Sequence, residues 1–173
     1  MAPFGRRRGK HRMRHLLVVR HGHAAAKSPG GSDRDRPLTP EGRSAVEALA
    51  ARLAAESPAS DLALSSSARR ARETLEILLE KQPGVEVELE DSLYLADARS
   101  LLHRLRELPA DAGTALLVGH NPGLQELATF LAAREHELLV AGLPPAGACL
   151  FAVEGEWSRL SPASARLRAY FVP

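Results

Sequence analysis

Apolar residues follow two spacings along the chain, one typical of buried strands and one typical of amphipathic helices. Short, nearly continuous apolar runs predict the strands. In chain order these are His15 to Arg20, Leu62 to Leu64, Val85 to Leu89, a run that ends at His120, Ala148 to Val153, and Arg166 to Val172. We expect the last two strands to lie at an edge of the sheet.

Helical spacing of apolar residues separates most of these strands. One stripe runs from Val46 to Leu53, and Thr39 followed by Pro40 predicts its N-cap and first position. A second helix carries several arginines and runs through Leu79. A third helix has apolar positions at Leu101, Leu102, Leu105 and Leu108. A fourth starts at Pro122 and has apolar positions at Leu124, Leu127, Ala128 and Leu131. The alternation predicts an α/β fold, a three-layer α/β/α sandwich with a mostly parallel sheet.

Length and charge indicate one globular domain behind a basic segment. The chain has 173 residues, 45% of them hydrophobic, which is enough for a single core. Residues 1–14 carry six basic and no acidic side chains and lack apolar periodicity. We therefore expect a disordered extension before a domain at 15–173. The domain has no basic face with interleaved aromatic residues, so we expect no nucleic-acid partner.

The cysteine count and the lack of long apolar stretches predict where the chain works. Cys149 is the single cysteine, so no internal disulfide can form, as is usual in reducing compartments. No apolar stretch approaches the roughly twenty residues that span a bilayer, and no signal peptide is recognisable. We expect a cytoplasmic monomer without a membrane partner.

Two histidines stand directly after predicted strands. Arg20-His21-Gly22 follows the apolar run Leu16 to Val19, and Gly119-His120 ends a later run. Open α/β sheets present reactive groups at the carboxyl ends of their strands, where glycine permits a tight turn. We therefore expect both histidines in one site.

Arginines cluster at a helix start between the two histidines. Ser66 and Ser67 can cap a helix whose first turn holds Arg69, Arg70 and Arg72. Cationic side chains oppose the helix dipole at this end, and a bound anion would explain their presence. The segment thus predicts a phosphate site.

Four motifs, in this order and spacing, resemble the histidine phosphatase superfamily, whose members have a phosphoglycerate mutase-like fold. They are Arg20-His21-Gly22, Arg36-Pro37-Leu38-Thr39-Pro40-Glu41-Gly42, Ser66-x-x-x-Arg70-Ala71-x-x-Thr74 and Gly119-His120-Asn121-Pro122. The small size, the segment Pro144 to Ala148 and Trp157 are similar to bacterial phosphohistidine phosphatases of the SixA type. The resemblance runs from about Arg14 to the C-terminus.

The resemblance implies a covalent mechanism without cofactor or metal ion. Neutral His21 would attack phosphorus and form a phosphohistidine that water later hydrolyses. Charge spreads over three phosphoryl oxygens during the transfer, so the site needs fixed cations and hydrogen-bond donors, whose field also keeps the nucleophile neutral. The groups implied are Arg20, Arg70 and His120, joined in substrate binding by Gly22 and Asn121.

Residues close to these positions have simpler expected roles. Helical spacing turns Arg69 and Arg72 away from Arg70, and we expect both to be solvated. Thr74 is expected to pack beneath the pocket. Position 23, often acidic in similar proteins, is histidine here and stands either at the rim or in the catalytic group.

The sequence leaves the proton donor for the leaving group open. Similar mutases and phosphatases carry a glutamate for this in an inserted segment, and no matching motif occurs between Thr74 and His120. Glu90, Asp91 and Asp97 are the acids available there. An imidazole leaves phosphorus more readily than an alkoxide, so weak acid catalysis favours phosphohistidine over alkyl phosphates.

Other hydrolytic chemistries lack their sequence context. Asp33-x-Asp35 resembles an aspartyl-phosphate nucleophile pair, but it follows a Gly-Ser loop instead of an apolar strand. Cys149 lacks the arginine of the cysteine phosphatase loop, because Gly155 stands in its place. His21-x-His23 could bind a metal ion, but the pair has no further ligands in its pattern. Phosphate loops and nucleophile elbows do not occur.

Together these features predict a metal-independent phosphatase that acts on phosphohistidine of a signalling protein, such as a histidine phosphotransfer domain. Few insertions are available to form a lid, so the pocket should admit a protein side chain. Two alternatives stay open: a broad phosphomonoesterase for small phosphate esters or phosphoproteins, and a catalytically silent phospho-ligand binding module. The intact His21 argues against the silent module.

Overall fold

The computed structural model describes residues 13–133, 136–139 and 141–173. Most of the predicted basic extension lies outside these ranges. Its last residue, Arg14, begins the first strand, and its guanidinium donates to the carbonyls of Ala110 and Gly155. Arg14 therefore belongs to the sheet and not to the predicted extension.

A six-stranded sheet forms the centre of the molecule. Its strands are β1 (Arg14–Arg20), β2 (Leu62–Ser66), β3 (Glu86–Glu90), β4 (Thr114–Gly119), β5 (Ala148–Val153) and β6 (Ala165–Phe171), in the order β3-β2-β4-β1-β5-β6. Neighbours among the first four in this order are parallel, whereas β5 is antiparallel to β1 and β6. The mostly parallel sheet is confirmed. The expected edge position is wrong for β5, which pairs on both sides, and right for β6.

Four α-helices lie in the described part of the chain: α1 (Pro40–Glu56), α2 (Arg69–Leu79), α3 (Ala98–Arg106) and α4 (Gly123–Leu131). Thr39 caps α1 as predicted, because its hydroxyl oxygen accepts from the N–H of Gly42 at 3.0 Å. The serine cap predicted for α2 is wrong: Ala68 holds the N-cap position, and Ser66 is paired within β2. None of the described helices combines the length and apolar character needed to span a bilayer.

Alternate residues of β1 pack into two separate hydrophobic cores. Leu17 and Val19 pack in one cluster with apolar side chains of α1 and α2, and Leu16 and Val18 pack in another with α3 and α4. Helices therefore cover both faces, which confirms the three-layer sandwich. Because β1, β2 and β4 are parallel neighbours, the residues that follow them meet at one edge of the sheet.

Candidate active site

The two strand-end histidines lie side by side. Arg20 of β1 pairs with Gly119 of β4, so the next residue of each strand, His21 or His120, leaves the sheet at the same level. Their ring centroids are 5.1 Å apart. The prediction that both strand ends contribute to one place in the fold is confirmed.

His21 is held in a defined tautomer. Its Nδ1 lies 2.7 Å from the carbonyl oxygen of Gly22. A carbonyl only accepts hydrogen bonds, so Nδ1 carries the proton and Nε2 keeps a lone pair. The Nε–H of Arg70 donates to this Nε2 at 3.3 Å. The nitrogen with nucleophilic character therefore faces a cation.

Both histidines are neutral at pH 7. Burial lowers the pKa of His21 to about 4; the Gly22 carbonyl opposes this shift, and the charge of Arg70 adds to it. Burial also lowers the pKa of His120 to about 3, with further lowering from His21 and Arg70. A buried imidazole beside fixed cations loses its proton because the charged form is penalised twice.

Arg70 is almost wholly buried, with 2% of its surface exposed. Its Nη1 donates to the main-chain carbonyl of Asp33 at 2.7 Å, and its Nη2 donates to the Asp33 carboxylate at 3.1 Å. Thr74 packs beneath the pocket as predicted: its hydroxyl donates to the Arg70 carbonyl at 2.7 Å and accepts from the N–H of Gly22 at 3.0 Å. The Thr74 side chain thus connects α2 to the turn after β1.

The helix register around Arg70 follows the sequence prediction, with one correction. Arg72 is exposed, as expected. Arg69 is not simply solvated, because its Nε donates to the Glu73 carboxylate at 2.8 Å. Glu73 also accepts from the N–H of Leu38 at 2.8 Å. Arg69 therefore belongs to a contact that joins α2 to the loop before α1.

Arg20 and Asn121 share one main-chain acceptor. Nη1 of Arg20 and Nδ2 of Asn121 both donate to the carbonyl of Leu143 at 2.9 Å. Within the described residues, Nε of Arg20 and Nδ1 of His120 are buried without a hydrogen-bond partner. Buried polar atoms are normally paired, so these two are available to a ligand.

Ser66 orients the second histidine. Its hydroxyl oxygen lies 2.7 Å from Nε2 of His120 and accepts from the N–H of Ala68 at 3.2 Å. A hydroxyl has one proton and two lone pairs, so the Ser66 contact fits either tautomer of His120. In the tautomer in which Ser66 donates to Nε2, Nδ1 of His120 carries the proton and can donate to a phosphoryl oxygen.

The predicted pocket residues surround one cavity of about 290 Å³. Its lining consists of Arg20, His21, His23, Ala24, Arg36, Arg70, Leu95, His120, Asn121 and Pro145. His23 is at the exposed rim, where Nδ1 contacts the Thr39 hydroxyl at 3.1 Å. Gly22 does not line the cavity, and its N–H donates to the Thr74 hydroxyl.

The three carboxylates considered as proton donors do not line the cavity, and each has a partner elsewhere. Glu90 accepts from Arg104 at 2.7 Å. Hydrogen bonds from Ser67 and Arg34 lower the pKa of Asp91. Asp97 caps α3, and the N–H of Ser100 lowers the pKa of its carboxyl. The residues and partners are Glu90 with Arg104, Asp91 with Ser67 and Arg34, and Asp97 with Ser100.

Neither a metal site nor an activated cysteine thiol is found among the described residues. Among the described residues, no group of three or more histidine, cysteine, aspartate or glutamate side chains is placed to hold a metal ion. Burial raises the pKa of the Cys149 thiol to about 12. A thiol in this environment is not an activated nucleophile.

Sequence reasoning missed Asp33, Arg36 and Tyr94 as members of the site. The Asp33 carboxylate accepts from Arg36 at 2.8 Å, from Arg70, and from the Tyr94 hydroxyl. The Tyr94 ring stands edge-on to His120, with centroids 5.4 Å apart. One signal in the sequence could have found Asp33. It stands three residues before Arg36, and Arg36 belongs to one of the four motifs that resemble the superfamily.

Comparisons with known proteins identify the family. The model of the histidine phosphatase superfamily (branch 1) matches residues 16–94. Over 160 residues the chain is 31% identical to Rv1276c, an uncharacterised protein of Mycobacterium tuberculosis, with 87% of this chain and 98% of that protein covered. The chain belongs to the histidine phosphatase superfamily.

Solved structures refine this assignment. The chain is similar to a protein assigned as the phosphohistidine phosphatase SixA of Nakamurella multipartitia, with a TM-score of 0.82, 29% identity, and 93% of this chain and 96% of that one covered. It is also similar to a protein assigned in the same way from Agrobacterium tumefaciens, with a TM-score of 0.80, 27% identity, and 92% and 98% covered. The phosphoglycerate mutase-like fold and the resemblance to the SixA type are confirmed.

Proposed function

We propose that this protein is a metal-independent phosphatase that forms a covalent phosphohistidine on His21 and acts on phosphohistidine of a signalling protein. The observation that carries the proposal is the state of His21. The Gly22 carbonyl holds the proton on Nδ1, and burial keeps the ring neutral, so Nε2 is unprotonated and its electron pair accepts only the 3.3 Å hydrogen bond from Arg70. A neutral imidazole in this tautomer is a ready nucleophile for phosphorus.

In the first step, Nε2 of His21 attacks phosphorus while the bond from phosphorus to the leaving group breaks. The phosphoryl group is then bonded to Nε2, and Nδ1 keeps its proton, which stays hydrogen-bonded to the Gly22 carbonyl throughout. In the second step, water attacks phosphorus, the bond to Nε2 breaks, and hydrogen phosphate leaves with the water oxygen. One water proton passes to solvent, which balances the proton that the leaving group takes up on departure. The histidine recovers its lone pair, so one catalytic cycle consumes one water molecule.

The groups around Nε2 match the charge that develops in both steps. The Nε–H of Arg70 donates to Nε2, and Nε of Arg20 and Nδ1 of His120 are buried and unpaired among the described residues. A guanidinium stays charged and can bind two phosphoryl oxygens through parallel hydrogen bonds. Fixed donors of this kind stabilise the spread charge of phosphoryl transfer without reorganising.

The substrate class follows from the leaving group. No carboxylate of the described residues lines the cavity, Glu90, Asp91 and Asp97 included, so strong protonation of a departing alkoxide is not provided there. An imidazole leaving group needs less help. The identities with the two SixA-type structures also support a phosphohistidine substrate, and we propose a histidine phosphotransfer domain as partner of a monomeric cytoplasmic enzyme.

A matched substrate panel tests this proposal. Purified protein in EDTA is given a phosphorylated histidine phosphotransfer domain, para-nitrophenyl phosphate and a phosphoserine peptide, and release of phosphate is followed. We expect kcat/KM to be largest for the phosphohistidine domain. Equal or greater kcat/KM for the esters would replace the proposal by the broad phosphomonoesterase, and phosphate release that requires added metal would contradict the metal-independent mechanism.

A further inference from the structure

Asp33 connects two arginines of the phosphate pocket. Its Oδ1 accepts from Nε of Arg36 at 2.8 Å, and its Oδ2 accepts from Nη2 of Arg70 at 3.1 Å. The Asp33 main-chain carbonyl accepts from Nη1 of Arg70 at 2.7 Å. Both arginines line the cavity and Asp33 does not. The carboxylate therefore acts on the site through the arginines.

The bonds to Arg70 divide its guanidinium into two parts. Both terminal nitrogens are bound to Asp33, while the inner Nε points to His21. A guanidinium has five N–H groups, and these contacts use one on each nitrogen. Two N–H groups remain, and the bonds to Asp33 fix the plane of the guanidinium.

Tyr94 secures the carboxylate itself. Its hydroxyl donates to Oδ2 of Asp33, the oxygen that also holds Arg70. The Tyr94 hydrogen bond lowers the pKa of Asp33, burial opposes it, and Arg36 and Arg70 lower it further. The carboxylate stays ionised over the working pH range. An ionised acceptor orients a guanidinium but has no proton to give, so Asp33 is not the missing acid.

We propose that Asp33 is a positioning residue of the phosphatase site, which fixes Arg70 and Arg36 at the angles that phosphoryl binding requires. The inference rests on the proposed function. An alternative effect has the opposite sign: a carboxylate near an anion pocket repels the anion, so its removal would strengthen anion binding. The two effects can therefore be separated by the direction of one measured change.

The probe is tungstate, a tetrahedral oxyanion with the shape of phosphate, and its Kd is measured by calorimetry. Asp33→Ala should weaken tungstate binding at least about tenfold, because a misplacement of about 1 Å at a catalytic group costs up to about a hundredfold. Asp33→Asn keeps an oxygen for Arg70 and should recover part of the loss. Asp35→Ala removes the same charge from the same turn, and the Asp35 carboxylate has no side-chain partner among the described residues. This variant should bind tungstate as the wild type does.

Kinetics with para-nitrophenyl phosphate supply a second measurement. Misaligned arginines should lower kcat more than they change KM, since their bonds strengthen as phosphoryl charge develops. Tyr94→Phe leaves the carboxylate in place and should cause a smaller loss in the same direction. If Asp33→Ala does not fold, as judged by thermal unfolding, Asp33→Asn and Tyr94→Phe carry the test.

The outcomes distinguish the positioning role of Asp33 from the proposed function. If the wild type binds tungstate and the Asp33 variants bind it equally or more tightly, the positioning role is refuted and the proposed function stands. If wild-type protein binds no tungstate, the phosphate pocket itself is refuted and both proposals fall. Weaker binding in Asp33→Ala, with Asp35→Ala unchanged, supports the positioning role.

Discussion

Replacing Arg70 by alanine removes the cation that touches the proposed nucleophile. The guanidinium is 2% exposed and lies 3.3 Å from Nε2 of His21. It can make two charge-assisted hydrogen bonds that strengthen as phosphoryl charge develops. Loss of such a group costs roughly 3 kcal/mol of transition-state stabilisation, or about a hundredfold in kcat/KM.

Three further variants control this experiment. Arg70→Lys keeps the charge but loses the planar fork, so it should restore activity only in part. Arg72→Ala changes an exposed residue, and Arg69→Ala removes one partner of Glu73, which keeps Arg43 as a second partner. Neither Arg69 nor Arg72 lines the cavity, so both variants should change kcat/KM by less than about threefold.

The assay is kcat/KM on one phosphorylated histidine phosphotransfer domain, with thermal unfolding to confirm that each variant is folded. A loss confined to Arg70 supports its place in the pocket. Equal losses at Arg69, Arg70 and Arg72 would refute it, because such a result cannot arise from one inward-facing side chain.

Four other predictions follow, two on protonation and one each on capping and packing. The neutral His21 nucleophile should make kcat/KM decline only as the pH falls through about 4, and an acidic limb near the ordinary histidine value of 6.5 would contradict this. The same lowered pKa implies stability that is complete above pH 6.5 and is lost below it as the unfolded chain takes up protons, which denaturation at several pH values can measure. Asp97→Ala removes the α3 cap and should lower the free energy of unfolding with little change in rate; a rate loss of about a hundredfold would instead restore Asp97 as the acid. Gly42→Ala would place a Cβ 2.1 Å from the His23 carbonyl oxygen and should cost at least about 1–3 kcal/mol in urea denaturation, whereas unchanged stability would contradict the close contact.

The parts of the site that sequence predicted are those set by regular structure. His21 and His120 follow paired residues of two parallel strands, so continuous apolar runs were enough to bring them together. The spacing within α2 likewise distinguished Arg70 from Arg72. In each case the regular repeat of the strand or the helix determines where the side chain points.

The parts that sequence missed depend on contacts between segments far apart in the chain. Asp33 lies in a Gly-Ser-rich loop without periodicity, and its role appears only where that loop meets Arg70 and Tyr94. Ser66 was expected to cap a helix because its residue type favours caps, but pairing with Glu90 keeps it in β2. Tertiary pairing overrides such local preferences.

The proposed mechanism passes through a covalent intermediate on Nε2 of His21. The most direct test is rapid quench of the wild-type protein during turnover in denaturant without acid, followed by mass spectrometry of the peptides. We expect an acid-labile phosphate on His21, absent from His21→Ala, which should fold normally and lack turnover. Phosphate found on His120, or turnover that persists in His21→Ala, would contradict the account.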